Sequence, residues 1–233
     1  MKLHAYIGDT GACSRREAQR WIKAGRVTVD GRTADIGTAF TEASDIRVDG
    51  IPLGPRRPYV YVMLNKPVGI VCTTAAHVEG NIAGFLKHPE RLSPVGRLDK
   101  ESEGLILLTN HGELSHRLLH GDREHEKEYE VTVDKPVTPE LLAGMAAGVP
   151  MLGTVTKPCR TRAVGERMFR IVLTQGLNRQ IRRMCKAFGY RVERLRRVRI
   201  LGLELGDLPS GAWRELTAAE REALLQPLGL LAP

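Results

Sequence analysis

Apolar positions along the chain change their period several times, and each change predicts an element. Near the start, Ala18, Trp21 and Ile22 recur at i, i+3 and i+4, which gives a helix one apolar stripe. Ser14 and Glu17 supply an S-x-x-E capping box, and Gly25 suits the position just past the end, so residues 15–24 are expected to be helical. Arg16, Arg20 and Lys23 fall on the opposite face. Solvation is the usual fate of such charges, but three cations with no interleaved acid also suit phosphate contact. Period two follows. Val27 and Val29 run into Asp30-Gly31, and Ile46 and Val48 into Asp49-Gly50, both hairpin-turn pairs. A short helix and a small β-ribbon are the expectation.

The stretch Ile51 to Pro58, I-P-L-G-P-R-R-P, carries three prolines and two arginines. That density of proline suits neither a helix nor a strand interior and reads as a linker. It divides the chain into an N-terminal module with linker, residues 1–55, and a larger domain, residues 56–233. Beyond it, Tyr59–Leu64, Leu105–Thr109, Lys127–Val133 and Phe169–Thr174 read as strands. Thr138-Pro139-Glu140 starts one helix and a Thr217–Glu220 capping box another. No regular βαβ rhythm emerges, so the fold class is α+β with a mixed or antiparallel sheet.

Ile181, Met184, Cys185 and Phe188 mark a helix with one buried stripe that Gly189 can end. Arg179, Arg183 and Lys186 project away from the stripe, and Arg182 lies on its flank, roughly 110° from the stripe centre at about 100° per residue. From a flank a guanidinium can hold a carboxylate in a cleft; an ordinary surface ion pair is the plainer reading. In the strand-like stretch that follows, Leu195 is out of phase with Val198 and Ile200, which predicts a bend or bulge.

Charge sharpens this picture. Between Gly176 and Arg199 there are nine Arg or Lys residues and one acid, Glu193. Over all 233 residues, 35 Lys and Arg face 27 Asp and Glu, for a net charge of +8. A polyanionic partner is implied, and the clustering favours nucleic acid. No apolar run approaches the ~20 residues of a membrane span, and the first residues lack a signal-peptide apolar region, so a cytoplasmic protein is expected. Cys13, Cys72, Cys159 and Cys185 are scattered, which argues against a zinc site.

Asp99 lies in the polar run Pro94-Val-Gly-Arg-Leu-Asp-Lys-Glu-Ser-Glu-Gly, just before the apolar Leu105–Leu108. Catalytic groups often sit on loops held by rigid elements, yet a loop Asp is more commonly a turn residue or cap. Spacing and charge leave both open. The run G-R-L-D-K-x-S-x-G-L-I-L-L-T-N, however, resembles the catalytic motif of the RsuA/RluB/RluE/RluF family of pseudouridine synthases. Leu64-Asn-Lys-Pro-Val-Gly69 looks like that family's first motif, Lys127-Glu-Tyr129 its K-x-Y motif and Gly176-Leu-Asn-Arg-Gln-Ile-Arg-Arg-Met184 its arginine-bearing motif. The first fifty residues resemble the S4 RNA-binding module this family carries. L-N-R-Q-I-R-R-M-C, H-E-K-E-Y and G-V-P-x-L-G-T-V-T-K are similar to the F-type subgroup. The chain ends soon after its last helix, so no accessory affinity from a basic tail is expected.

The resemblance implies an S4 module joined to a catalytic domain with a central cleft. It implies Asp99 as the essential carboxylate, Tyr129 stacking on or deprotonating the base, and Arg182 paired with Asp99. Arg97, Lys100, Asn178, Arg179 and Gln180 would contact RNA, as would Arg16, Arg20 and Lys23 of the module. Leu173 and Ile181 would line the pocket, while Lys66 and Gly69 belong to a structural motif. The enzyme would act as a monomer without cofactor or metal on a uridine of large-subunit ribosomal RNA, with tRNA as the alternative. Two rivals stand beside it. A non-catalytic S4-type RNA-binding or ribosome-assembly protein explains the charge but not Asp99, Tyr129 and Arg182 together. A glycosidase or nuclease would need a further carboxylate, for which Glu101 or Glu103 are the candidates.

Overall fold

The computed structural model describes residues 1–120 and 125–231, with the side chain of His120 left aside. The chain forms two compact units, one made of Met1–Val60 with Pro89–Arg91 and Asn110–Gly112, the other of the remaining described residues.

In the first unit, α1 (Leu3–Asp9) and α2 (Arg15–Lys23) precede four short strands, β1 (Val27–Val29), β2 (Arg32–Thr33), β3 (Ile46–Val48) and β4 (Ile51–Pro52), ordered β2-β1-β3-β4. Leu3, Ile7, Ala18, Ile22, Val27, Val29 and Ile46 build one core. The expected helix is α2: the Ser14 side chain accepts from the Glu17 N–H at 3.1 Å, and Gly25 follows at φ +69°. Both Asp-Gly pairs form their turns with positive φ at each residue, the left-handed backbone such hairpins need. Three expectations change. Helix α1 was not anticipated. The opposite face of α2 is not free of acid, because Arg20 pairs with Glu17. The expected linker begins in structure: Ile51 and Pro52 form β4, an edge strand, where proline's missing N–H costs no ladder bond.

The rest of the chain carries β5 (Tyr61–Lys66), α3 (Ile82–Leu86), β6 (Ser93–Pro94), β7 (Glu103–Thr109), α4 (Gly112–His120), β8 (Lys127–Val133) and α5 (Pro139–Ala147). It continues with β9 (Pro150–Met151), β10 (Thr154–Val155), β11 (Arg160–Gly165), β12 (Met168–Leu173), α6 (Gln180–Ala187), β13 (Val192–Ile200), β14 (Leu203–Glu204), β15 (Trp213–Glu215) and α7 (Ala218–Leu225). Nine strands form one mixed sheet along the path β11-β12-β8-β13-β7-β5-β15, with β6 beside β7 and β14 beside β13. Every pairing along it is antiparallel except β13 with β7. The α+β expectation with a mixed sheet is met.

Two apolar cores flank this sheet. One joins Met63, Leu105 and Leu107 to Leu114, Leu118 and Leu224. The other joins Val131, Phe169 and Ile171 to Leu141 and Met145 of α5 and to Ile181, Met184 and Cys185 of α6. Phe188 departs from the expected stripe: it sits just past α6 and stays 37% exposed. Its ring instead occupies the space over Gly144, where a Cβ would lie 2.4 Å from its edge. The bulge expected after Leu195 is present, as a register shift between Arg197 and Arg199 against β8.

Candidate active-site cleft

The basic strand β13 divides its arginines between two environments. Arg194 pairs with Glu103, Arg196 approaches Glu130 at 3.8 Å, and Arg199 meets Glu126 and Glu128 at 3.0 Å each. Arg170 of β12 adds bonds to Glu130 at 2.6 Å and Glu128 at 3.3 Å. This face of the sheet is therefore a ladder of cross-strand ion pairs. The expectation that the charge clustered between Gly176 and Arg199 favours nucleic acid is narrowed accordingly for β13. The glutamates come from β7, from β8 and, for Glu126, from the residue just before β8, all distant in sequence, and they hold the charge that looked unpaired. Arg197, two residues from buried Leu195, faces the other way.

It faces a cleft of about 660 Å³ lined by residues of both cores together with polar groups. Asp99, Arg97, Tyr129, Lys127, Arg197, Asn178, Arg179, Gln180, Leu173 and Ile181 all border it. Lys100 and Arg182 lie outside that lining. Asp99 is its only carboxylate among the described residues.

The Asp99 loop joins β6 to β7 and is stitched from several sides. The Leu98 N–H donates to Cys72 Sγ at 3.3 Å, and the Gly69 N–H donates to the Lys100 carbonyl at 2.8 Å. The Ser102 N–H closes the loop onto the Asp99 carbonyl at 3.0 Å. Lys66, fully buried, donates from Nζ to the carbonyls of Pro67 and Ile70 at 2.8 and 2.9 Å, shaping the segment that meets the Asp99 loop. Burial pushes the Lys66 ammonium below the ordinary lysine range, opposed by the nearby Cys72, Asp99 and Glu103.

Arg182 completes the stitching, although not as expected. Nη2 donates to the Glu101 carbonyl at 3.1 Å and to Ser102 Oγ at 3.4 Å, while Nη1 donates to the Val192 carbonyl at 3.2 Å. No hydrogen bond or ion pair joins it to the Asp99 carboxylate among the described residues. The flank position of Arg182 does point it toward the Asp99 loop. Its hydrogen bonds, however, go to backbone and hydroxyl oxygens that need satisfying in a half-buried loop.

The rim is built by the turn before α6. Arg179 caps that helix in a left-handed conformation, φ +51°, and bonds Glu101 at 2.8 Å. That contact lowers the Glu101 carboxyl below the usual range. Gln180 is buried, its Oε1 accepting from the Leu177 N–H at 3.0 Å and its Nε2 donating to Gln175 at 3.3 Å. Its amide therefore holds the rim loop together at the border of the cleft. Asn178 accepts twice from Arg183. In the first unit, Arg16, Arg20 and Lys23 are all exposed.

Arg197 is the cleft residue that sequence reasoning missed. It was counted within a basic stretch, yet its two-residue spacing from Leu195 places both on one strand face. Gly104 explains how it is seated. A Cβ there would lie 2.3 Å from the Arg197 carbonyl oxygen, so only glycine lets β7 and β13 approach this closely.

Residues 60–187 match the family model described as RNA pseudouridylate synthase, and residues 1–42 match the S4 domain. The chain is 50% identical over 222 residues to the dual-specificity RNA pseudouridine synthase RluF of Escherichia coli (strain K12), covering 94% of this chain and 77% of that one. It is 34% identical to ribosomal large subunit pseudouridine synthase B of Bacillus subtilis (strain 168), over 96% of this chain and 95% of the relative. A crystal structure of a pseudouridylate synthase superposes with a TM-score of 0.70 at 29% identity, over 96% of this chain and 99% of that one. Family model, relatives and fold agree, and the chain belongs to the RNA pseudouridine synthase family.

Proposed function

We propose that this cleft isomerises a uridine of large-subunit ribosomal RNA, with Asp99 as its essential carboxylate. The observation that carries this reading is a carboxylate, single in the lining among the described residues, held on a stitched loop in a cleft with cations, amides and apolar side chains around it. Pseudouridylation breaks the N1–C1′ bond, turns the base and joins C5 to C1′. One carboxylate serves that sequence by adding covalently or by stabilising positive charge on the ribose. Hydrolysis of a glycosidic bond normally uses two. The candidates for a second, Glu101 and Glu103, are spent on Arg179 and Arg194 and lie outside the cleft lining.

The target base must leave its stack to reach such a cleft. Tyr129 offers the aromatic face or the proton acceptor, and Leu173 and Ile181 the apolar wall. Arg97, Lys100, Asn178 and Arg179 hold the RNA around the flipped nucleotide. Arg182 acts through the Asp99 loop. Residues 1–55 supply a second RNA-binding surface through Arg16, Arg20 and Lys23. The description of the RluF relative as dual-specificity favours testing a second RNA class, for which transfer RNA is chosen.

The test is incubation with ribosomal RNA, and separately with transfer RNA, followed by mapping of pseudouridine. Wild type is expected to form product in ribosomal RNA, and Asp99→Ala none, with RNA binding retained. Full activity of that variant would sink the assignment. Binding without product in both proteins would favour the non-catalytic reading.

A further inference from the structure

Arg197 is only 3% exposed and lines the cleft, yet its guanidinium is only partly satisfied. Nε donates to the Leu105 carbonyl at 2.7 Å, and Nη2 is buried without a partner among the described residues. No carboxylate pairs with it among the described residues. A guanidinium does not escape this by losing its proton, as a buried lysine can. Unpaired donors in such a place are costly, which points to an acceptor that belongs to the bound state.

Its neighbours indicate the kind of acceptor. Lys66 and Lys127 lie close enough for the charge of Arg197 to push both ammonium groups down, in addition to their own burial. Both lysines spend Nζ on backbone carbonyls, Lys66 on Pro67 and Ile70 and Lys127 on His125 at 3.0 Å. Lys127 and Arg197 thus line the cleft with Lys66 buried nearby, and of the three only Arg197 has a buried nitrogen with no partner among the described residues. Across β8, Arg197 stands in register with Tyr129, the aromatic residue bordering the same space.

The isomerisation creates a matching charge. When the N1–C1′ bond breaks, its electron pair stays with the ring, and the uracil becomes an anion with charge spread over N1, O2 and O4. The positive charge left at C1′ is met by the Asp99 carboxylate. C5 then forms the new bond to C1′, the C5 proton passes to water, and N1 takes one up. We propose that Arg197 is a catalytic residue that donates from its Nη groups to a carbonyl oxygen of the flipped uracil and stabilises the departing uracilate. Asp99 and Arg197 then divide the reaction, one serving the sugar and the other the base. The inference rests on the isomerase reading above.

The test measures single-turnover rate at saturating RNA, RNA affinity and thermal stability for wild type, Arg197→Lys and Arg197→Ala. Loss of one preorganised donor to a developing anion typically costs about 10²–10³-fold in rate. A loss of that size is expected for Arg197→Ala, with affinity changed less than about 3-fold by the same logic of transition-state binding. Arg197→Lys should fall between, and added guanidinium should restore part of the Arg197→Ala rate. An unchanged rate in both variants overturns the inference, as does a loss confined to affinity. If Arg197→Ala is unstable, the folded Arg197→Lys variant decides by its rate-against-affinity split. A shifted acid limb in the pH–rate profile of Arg197→Lys would assign the arginine to Asp99 instead, and also overturns it. Inactive wild type would fail the isomerase reading itself, which keeps the two failures distinct.

Discussion

The outer face of the mixed sheet and the cleft contain the same residue type in opposite circumstances. On the outer face Arg170, Arg196 and Arg199 meet glutamates from neighbouring strands, so charge is matched by charge. Around the cleft, Arg182 holds a loop's carbonyl, Arg179 balances one rim glutamate, and Arg197 keeps its buried Nη2 without a partner among the described residues. Arg170 of β12 apart, both regions draw on one basic stretch of sequence. What separates them is partner supply: evenly spaced carboxylates neutralise the outer face, while among the described residues the cleft lining holds one carboxylate, Asp99. Paired surface arginines contribute modest stability, whereas a buried guanidinium nitrogen left without a partner at the cleft, as in Arg197, has room for an acceptor from the substrate.

The largest effect expected of this contrast belongs to Asp99, whose removal should abolish product with RNA binding preserved. Next comes Arg182→Met, which deletes the bonds to Glu101, Ser102 and Val192. Stability should fall by about 1–3 kcal/mol, because buried acceptors lose their donor. Activity measured well below the melting temperature should fall further than unfolding explains, since the Asp99 loop loses its clamp. A drop in activity that simply tracks the unfolded fraction would reduce Arg182 to a scaffold role.

Smaller effects sharpen the comparison between faces. Arg179→Ala at the rim should weaken RNA binding and lower the salt dependence by about one phosphate contact. Arg170→Ala on the outer face should leave that salt slope unchanged and cost no more than about 1 kcal/mol. Equal salt slopes for the two variants would erase the distinction. The smallest effect concerns a paired carboxylate far from the chemistry. Bonds from Arg214 and from the Thr217 N–H hold Glu220 down to about 2, against an ordinary 4.5. A depressed carboxyl stabilises fully above its unfolded value and loses that contribution as pH falls through its folded one. The melting-temperature gap between wild type and Arg214→Ala should therefore hold from pH 7 to 5 and close between about 4.5 and 2.

Local signals carried much of the fold. The caps at Thr138 and Thr217 form as read, the Ser14–Glu17 box forms its Ser14 half while the Glu17 carboxylate turns to Arg20, and both Asp-Gly turns close their hairpins, because these features depend on a few adjacent residues. Helix α1 escaped notice because Leu3 and Ile7 offer only one turn of periodicity and its N-cap, Lys2, makes no side-chain bond. Asp99 was legible as catalytic only through motif resemblance, since no periodicity distinguishes it from a turn residue.

The sequence by itself determined the α+β class, the RNA-directed charge, three of the four expected members of α6's buried stripe (Ile181, Met184 and Cys185) and the motif around Asp99. The tertiary structure alone decided which arginines are spent and which are not. Glu103, Glu126, Glu128 and Glu130 reach β12 and β13 only after distant strands pair, while Arg182 turns to a backbone carbonyl and Arg197 is seated on Gly104. Charge pairing acts over a few ångströms in space and takes no account of separation along the chain, so the functional meaning of each arginine emerged only with the fold.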